Sequence, residues 1–328
     1  MSRDPGRPLG AARVLALLAA WALAIAGAGF VVLHAVPDIQ LMNRLTVMLA
    51  AAIPFGTLAW ALSLVLFAMA GRGYGKLLAL VTVPGLIAQL LWSAAYIPAF
   101  DPPNDRSGVS VMTLNARCRT LGEEDLPATV QEIEPDLLVI QGFTRSLRVL
   151  LGESGALEPY DHSAFFPMAS GISCGTAVYS ALPLAETADS TAEQPAVLVE
   201  AENRAFVLVP VDAQGPQDGV PAWLDDLAGV REIAARHTEA GESVVVAGDF
   251  NAVREHVPLR NLEADGLVNA AEAVGAGWLP TFRADRWYPP LLELDHILVS
   301  SDIDVGAITT TVIEGMAHRA VVAWLGGG

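Results

Sequence analysis

Beyond residue 100 the chain has no lysine at all, and its 13 arginines there face 34 acidic residues, a net charge of −21. A surface of that sign repels a phosphate backbone and lacks the basic footprint of a nucleic-acid binder, so nucleic acid is not the expected partner. The first hundred residues lack the opposite charge, with two acidic groups against six basic ones, a net of +4. Within them, residues 14–32, 45–70 and 77–100 contain no Asp, Glu, Lys or Arg. Cysteine is scarce too: only Cys118 and Cys174 are present, and no Cys-x-x-Cys pair occurs. There is no His-Glu-x-x-His and no P-loop. Zinc-finger, zincin and nucleotide-triphosphatase chemistry therefore find no support.

What is present is apolar. Hydrophobic residues make up 53% of the 328-residue chain, and the mean hydropathy is +0.43, above that of ordinary soluble proteins. The excess lies in the three charge-free runs, each long enough for the ~20 helical residues that cross a bilayer core. Pro54 and Pro84 fall inside them, which packed membrane helices tolerate. Residues 1–100 thus read as a membrane domain with three transmembrane helices. Arg3, Arg7 and Arg13 precede the first run, and Arg72 and Lys76 lie between the second and third. The positive-inside rule puts these in the cytoplasm, which leaves everything after residue 100 outside. The first run also fits a cleaved signal peptide, with Ala-rich sequence at residues 24–28 as the processing site. The expected location is the cell membrane, multi-pass, with an extracytoplasmic C-terminal domain. Such a compartment permits a Cys118–Cys174 bridge, and two buried free thiols are the alternative.

Residues 101–108, rich in Pro, Asn, Asp and Ser, read as a linker, and residues 109–328 as one domain. Strand-like and helix-like segments alternate along it. Strands are expected at 109–114, 137–141, 176–179, 196–201, 205–211, 243–249, 295–299 and 320–325. Helical spacing occupies 124–134 and 224–237. This is an α/β pattern.

Chemistry concentrates at the strand ends. The run 243–247 ends in Gly248-Asp249-Phe250-Asn251, which sets a carboxylate beside an amide at the rim of a sheet. Leu294-Asp295-His296-Ile297-Leu298-Val299-Ser300 follows, and then Ala317-His318-Arg319 near the C-terminus. Asn115 closes Val109-Ser110-Val111-Met112-Thr113-Leu114. Asp-x-Asn alone is often a turn or a helix cap. In this order, from about residue 110 to 325, the motifs resemble the endonuclease/exonuclease/phosphatase superfamily of metal-dependent phosphoesterases.

The resemblance implies a two-sheet α/β sandwich behind the three transmembrane helices. It implies Mg²⁺ or Mn²⁺ at Asn115 and Asp249. Asp249 would orient or deprotonate the attacking water, and Asn251 would bind a phosphate oxygen. His318 would contact the phosphate, with Asp295 holding its imidazole. Members with this membrane layout resemble the phosphatases associated with glycopeptide resistance, which act on lipid phosphates. The expected partners are then the lipid bilayer and a lipid phosphate substrate at its surface.

Three departures strike the metal and phosphate site. The second strand ends Gln141-Gly142 where members have Gln-Glu. The last motif reads Met316-Ala317-His318 where members have Ser-Asp-His. The strand near residues 206–212 lacks a His, and Asp212 is the nearest polar group. Losing hard-cation carboxylates weakens binding. The expectation is weak Mg²⁺ binding and weak or lost turnover. The alternative function is a catalytically inactive binding or scaffold module without a cofactor.

His162, His237 and His256 belong to no motif and read as solvated surface, and His296 reads as packed or exposed beside Asp295. Gly171-Ile172-Ser173-Cys174-Gly175 matches G-x-S-x-G, but no strand-to-helix turn surrounds it, so a nucleophile elbow is not expected.

Overall fold

A computed structural model describes residues 10–70, 74–118, 125–168, 174–202 and 204–326. The chain divides into two compact units, Met1–Ala94 and Ala95–Gly328.

In the first unit, three helices are long and apolar enough to cross a membrane: Ala11–Ala35, Ile53–Ala70 and Tyr74–Tyr96. Residues 24–28 lie in the unbroken first helix. The second run is not one continuous helix. A short helix, Arg44–Ala50, starts on an Asn43 capping box, and the chain then turns before the 3₁₀ segment Ile53–Phe55. Pro54 explains the break, since it cannot donate to the preceding turn. Most of the apolar surface of these helices points outward, as lipid-facing helices require; Leu15, Leu18, Leu80 and Leu91 are all exposed. Contact between helices runs through small residues. An added Cβ at Gly27 or Gly85 would lie 2.8 Å or 2.5 Å from the Trp60 ring. Arg3, Arg7 and Arg72 lie outside the described residues, as do Gly171, Ile172 and Ser173.

The second unit is the expected two-sheet α/β sandwich. Its strands are β1 (Val109–Asn115), β2 (Leu137–Thr144), β3 (His162–Pro167), β4 (Cys174–Ser180), β5 (Leu184–Glu186) and β6 (Val197–Ala201). They continue with β7 (Arg204–Asp212), β8 (Val244–Asp249), β9 (Leu267–Asn269), β10 (Asp295–Ser300), β11 (Asp304–Thr311) and β12 (Ala320–Gly326). One sheet has the order β11-β12-β1-β2-β4-β3, the other β5-β6-β7-β8-β10-β9. Val111, Val139, Val178, Leu208, Val245 and Ile297 pack between the sheets. Outside them, Leu126 and Val130 of the helix Leu126–Ile133 bury against Leu138 and Ile140. The helix Val220–Glu239 buries Trp223, whose indole N–H donates to the Phe250 carbonyl (3.1 Å) and so braces the loop after β8.

Direction is what makes a site. β1 runs parallel to β2, and β7 parallel to β8. β10 is antiparallel to β8, and β12 to β1. The ends of the first four strands therefore meet the beginnings of the last two.

Three histidines expected at the surface are buried or half-buried. His237 is 9% exposed and pairs through Nδ1 with Glu242 (2.5 Å). His256 is 3% exposed and accepts from the Val253 N–H (3.1 Å). His162 is half-buried in β3. His296 is packed: its Nε2 donates to the Ala252 carbonyl (2.8 Å), and its Nδ1 accepts from Asn269 Nδ2 (3.3 Å). The Asn269 oxygen already accepts from Ala271 N–H, so its amide nitrogen faces the ring. The Asn269 donor on Nδ1 requires the neutral imidazole.

Cys118 and Cys174 are joined by a disulfide. With a sequence separation of 56, loop closure contributes about 4 kcal/mol. Replacing both with Ala should lower unfolding free energy by that order in denaturant titrations. Equal midpoints for the two proteins would contradict the bridge. Burial also lowers the His296 pKa to about 4, against 6.5 unfolded. The unfolded chain thus binds a proton that the folded one refuses, and stability falls as pH drops from 6.5 to 4. The stability gap between wild type and His296→Gln should be flat above pH 7 and shrink by roughly 3 kcal/mol by pH 4. A gap that does not change across this range would contradict the neutral imidazole.

Candidate active site

All five candidate residues meet at this edge of strand ends. Asn115 ends β1 in one sheet, and Asp249 ends β8 in the other. The Asn115 Nδ2 donates across the gap to Asp249 Oδ2 (2.7 Å). Its own oxygen accepts from Arg117 N–H (2.6 Å), which fixes the amide orientation and leaves one lone pair. Asn251 sits at φ 46°, a left-handed conformation that Asn tolerates. That turn aims its backbone N–H at Asp249 Oδ1 (2.8 Å) and its Nδ2 at the Ala213 carbonyl (2.8 Å) and Asp249 Oδ2 (3.3 Å). Asp295 faces Asp249 directly in the β8–β10 register.

His318 joins the two acids. Its Nδ1 donates to Asp295 Oδ2 (2.8 Å), and its Nε2 lies 3.9 Å from Asp249 Oδ2. The residue is 2% exposed, and the Phe282 ring covers it at 4.8 Å between centroids. Thr281 completes the arrangement. It is fully buried, accepts from Leu294 N–H (3.1 Å), and donates its hydroxyl to Asp295 Oδ2 (2.5 Å). Thr281 and Phe282 carry no motif, so only the fold reveals them.

The electrostatics follow from burial. Desolvation raises the Asp249 pKa above the carboxylate range, and the Asp295 charge raises it further. For His318, burial alone favours the neutral ring, but Asp295 and Asp249 outweigh it and hold the imidazole protonated at neutral pH. Desolvation also raises Asp212, to about 6.

Asp249, Asp295 and His318 each bring a possible ligand atom within 4.8 Å of the others. A protonated imidazole cannot ligate, so His318 is a hydrogen-bond donor in this group. The oxygens remain, and Asp295 Oδ1 is buried without a hydrogen-bond partner among the described residues. Oxygen donors suit a hard divalent cation, and Asn115 with Asp249 would supply such donors here.

The missing acids have structural consequences. Gly142 has φ +60°, and an added Cβ would lie 2.5 Å from the backbone nitrogens of both Arg117 and Cys118. No side chain fits, so a carboxylate cannot simply be restored there. Ala317 is 4% exposed and uses its carbonyl to accept from Ala284 N–H. Gln141 donates from its amide nitrogen to Thr113 Oγ1 (3.0 Å) between β1 and β2.

Comparison with known proteins agrees with this fold. A solved endonuclease/exonuclease/phosphatase from Beutenbergia cavernae DSM 12333 is 19% identical, with a TM-score of 0.52 over 67% of this chain and 72% of that one. Truncated TDP2 from Caenorhabditis elegans is 18% identical, with a TM-score of 0.50 over 67% of this chain and 97% of that one. At such identities the likeness is one of fold. No curated relative matches the chain. The model of the Endonuclease/Exonuclease/phosphatase family matches residues 112–315, well over half the chain. The chain belongs to that family.

Proposed function

We propose that this protein is a membrane-anchored, metal-dependent phosphoesterase that hydrolyses a phosphate ester, of the lipid-phosphate class, at the outer membrane surface. The observation that carries the reading is His318, held between Asp295 and Asp249 while Asn115 and Asn251 grip Asp249. Asp249 is placed to orient a water and take its proton. The protonated His318 offers its Nε2–H to a phosphoryl oxygen, where charge develops, and Asn251 would donate to one by exchanging its long bond to Asp249 Oδ2 (3.3 Å). Asp295, steadied by Thr281, keeps the imidazole charged and directed. A cation bound at Asp249 and Asn115 would supply Lewis-acid neutralisation of the phosphoryl charge.

Three apolar helices support a substrate presented at the bilayer. The basic residues flanking them and the Cys118–Cys174 bridge both support an extracytoplasmic domain. A second reading has its own observation. The backbone at Gly142 leaves no room for a metal-binding carboxylate on β2, which suits a binding module that keeps the cleft without the chemistry.

Turnover separates them. The full chain in detergent should hydrolyse a generic phosphodiester only with Mg²⁺ or Mn²⁺, and His318→Ala or Asp249→Ala should each lower the rate by about 10²-fold or more. A folded wild type that is inactive with both ions leaves the binding module as the function.

A further inference from the structure

Asp212 closes β7, in parallel register with Asp249 at the end of β8, so both carboxylates leave the same edge of the sheet. Asp212 also reaches the other sheet. Its Oδ2 lies 3.4 Å from the backbone N–H of Gly142 and 3.5 Å from Thr176 Oγ1. Gly142 is the position on β2 where the resemblance expects an acid, and its backbone admits no side chain. The carboxylate beside it therefore comes from β7 rather than from β2 itself. Among the described residues no Arg or Lys makes an ion pair with Asp212, and one N–H and one hydroxyl are its hydrogen-bond donors. Asp212 and Asp249 are thus two acids on adjacent strands at one edge, and no Arg or Lys pairs with Asp212 among the described residues. The buried Asp295 Oδ1, in the group with Asp249, is a further oxygen with no hydrogen-bond donor among the described residues.

We infer that Asp212 is a cation ligand that replaces the acid missing from β2 and holds Mg²⁺ or Mn²⁺ together with Asp249. Hard-cation affinity rises with the number of anionic ligands, so a second carboxylate offsets much of what the Gly142 departure removes. The site has been moved from one sheet to the other, not abolished. This rests on the metal-dependent reading above, and the experiment below separates the two.

The test is Mn²⁺ binding to the full chain in detergent, followed by the electron paramagnetic resonance signal of free Mn²⁺, with no substrate and no turnover involved. Wild type should bind Mn²⁺ at submillimolar concentration. Asp212→Asn and Asp249→Asn should each weaken binding at least tenfold. Asp226→Asn removes a nearby acid whose carboxylate bonds Gln214 N–H, and should change binding less than twofold. Thermal unfolding checks each variant. If Asp212→Asn does not fold, Asp212→Ser keeps an acceptor for Gly142 N–H and should show the same loss. Unchanged binding in a folded Asp212 variant, with binding lost in Asp249→Asn, would overturn the Asp212 assignment and leave the metal site standing. Wild type that binds no Mn²⁺ would overturn both.

Discussion

The site depends on one constraint: a carboxylate buried where two sheets meet must be surrounded by donors or it will not stay charged. Asp249 is surrounded by three neutral N–H groups and one imidazolium, and burial still raises its pKa to about 7. These groups come from three residues in different pieces of the fold. Asn115 needs β1 to end level with β8, Asn251 needs a left-handed turn, and His318 needs β12 to begin at that same edge. Asp295 then serves two ends, holding His318 charged while its own charge raises the Asp249 pKa. Water activation and phosphate binding are thus coupled through the Asp295–His318 hydrogen bond and the His318–Asp249 ion pair.

The loss at β2 is a matter of backbone as well as side chain. Cys118 N–H donates to the Gly142 carbonyl and Ala116 N–H to that of Gln141, which draws the turn after β1 onto the end of β2. The Cys118–Cys174 disulfide joins that turn to the start of β4. Glycine is what this approach requires. An acid on β2 and the bridged turn over it exclude each other, so a cation site in this chain has to draw its second acid from elsewhere. β7 supplies one at Asp212.

Much of this was legible in the residues. The apolar run before Asp249 reads as a buried strand because Val244, Val245, Val246 and Ala247 are buried on both faces. Strands β1, β8, β10 and β12 and the helix Val220–Glu239 announce themselves by run or period. β5 and β9 do not, being three residues long. β11 hides because its Thr-rich sequence, Thr309-Thr310-Thr311, lies half-buried at a sheet edge without alternation. Thr281 and Phe282 lie in a loop, where no periodicity exists to expose a role. His237 and His256 misled because a lone histidine carries no sign of its partners, and here a neighbouring carboxylate and a backbone N–H make burial tolerable. Ligand order along the chain was readable, whereas the space around Gly142 was not, since it depends on how closely the Arg117–Cys118 backbone approaches.

The most direct measurement is anomalous diffraction from crystals of the full chain soaked in Mn²⁺. The account predicts a single strong peak at the strand-end edge, ligated by Asp249 and Asp212, with His318 unligated and still bonded to Asp295. A peak ligated by His318 without Asp212, or no peak at this edge, would contradict it.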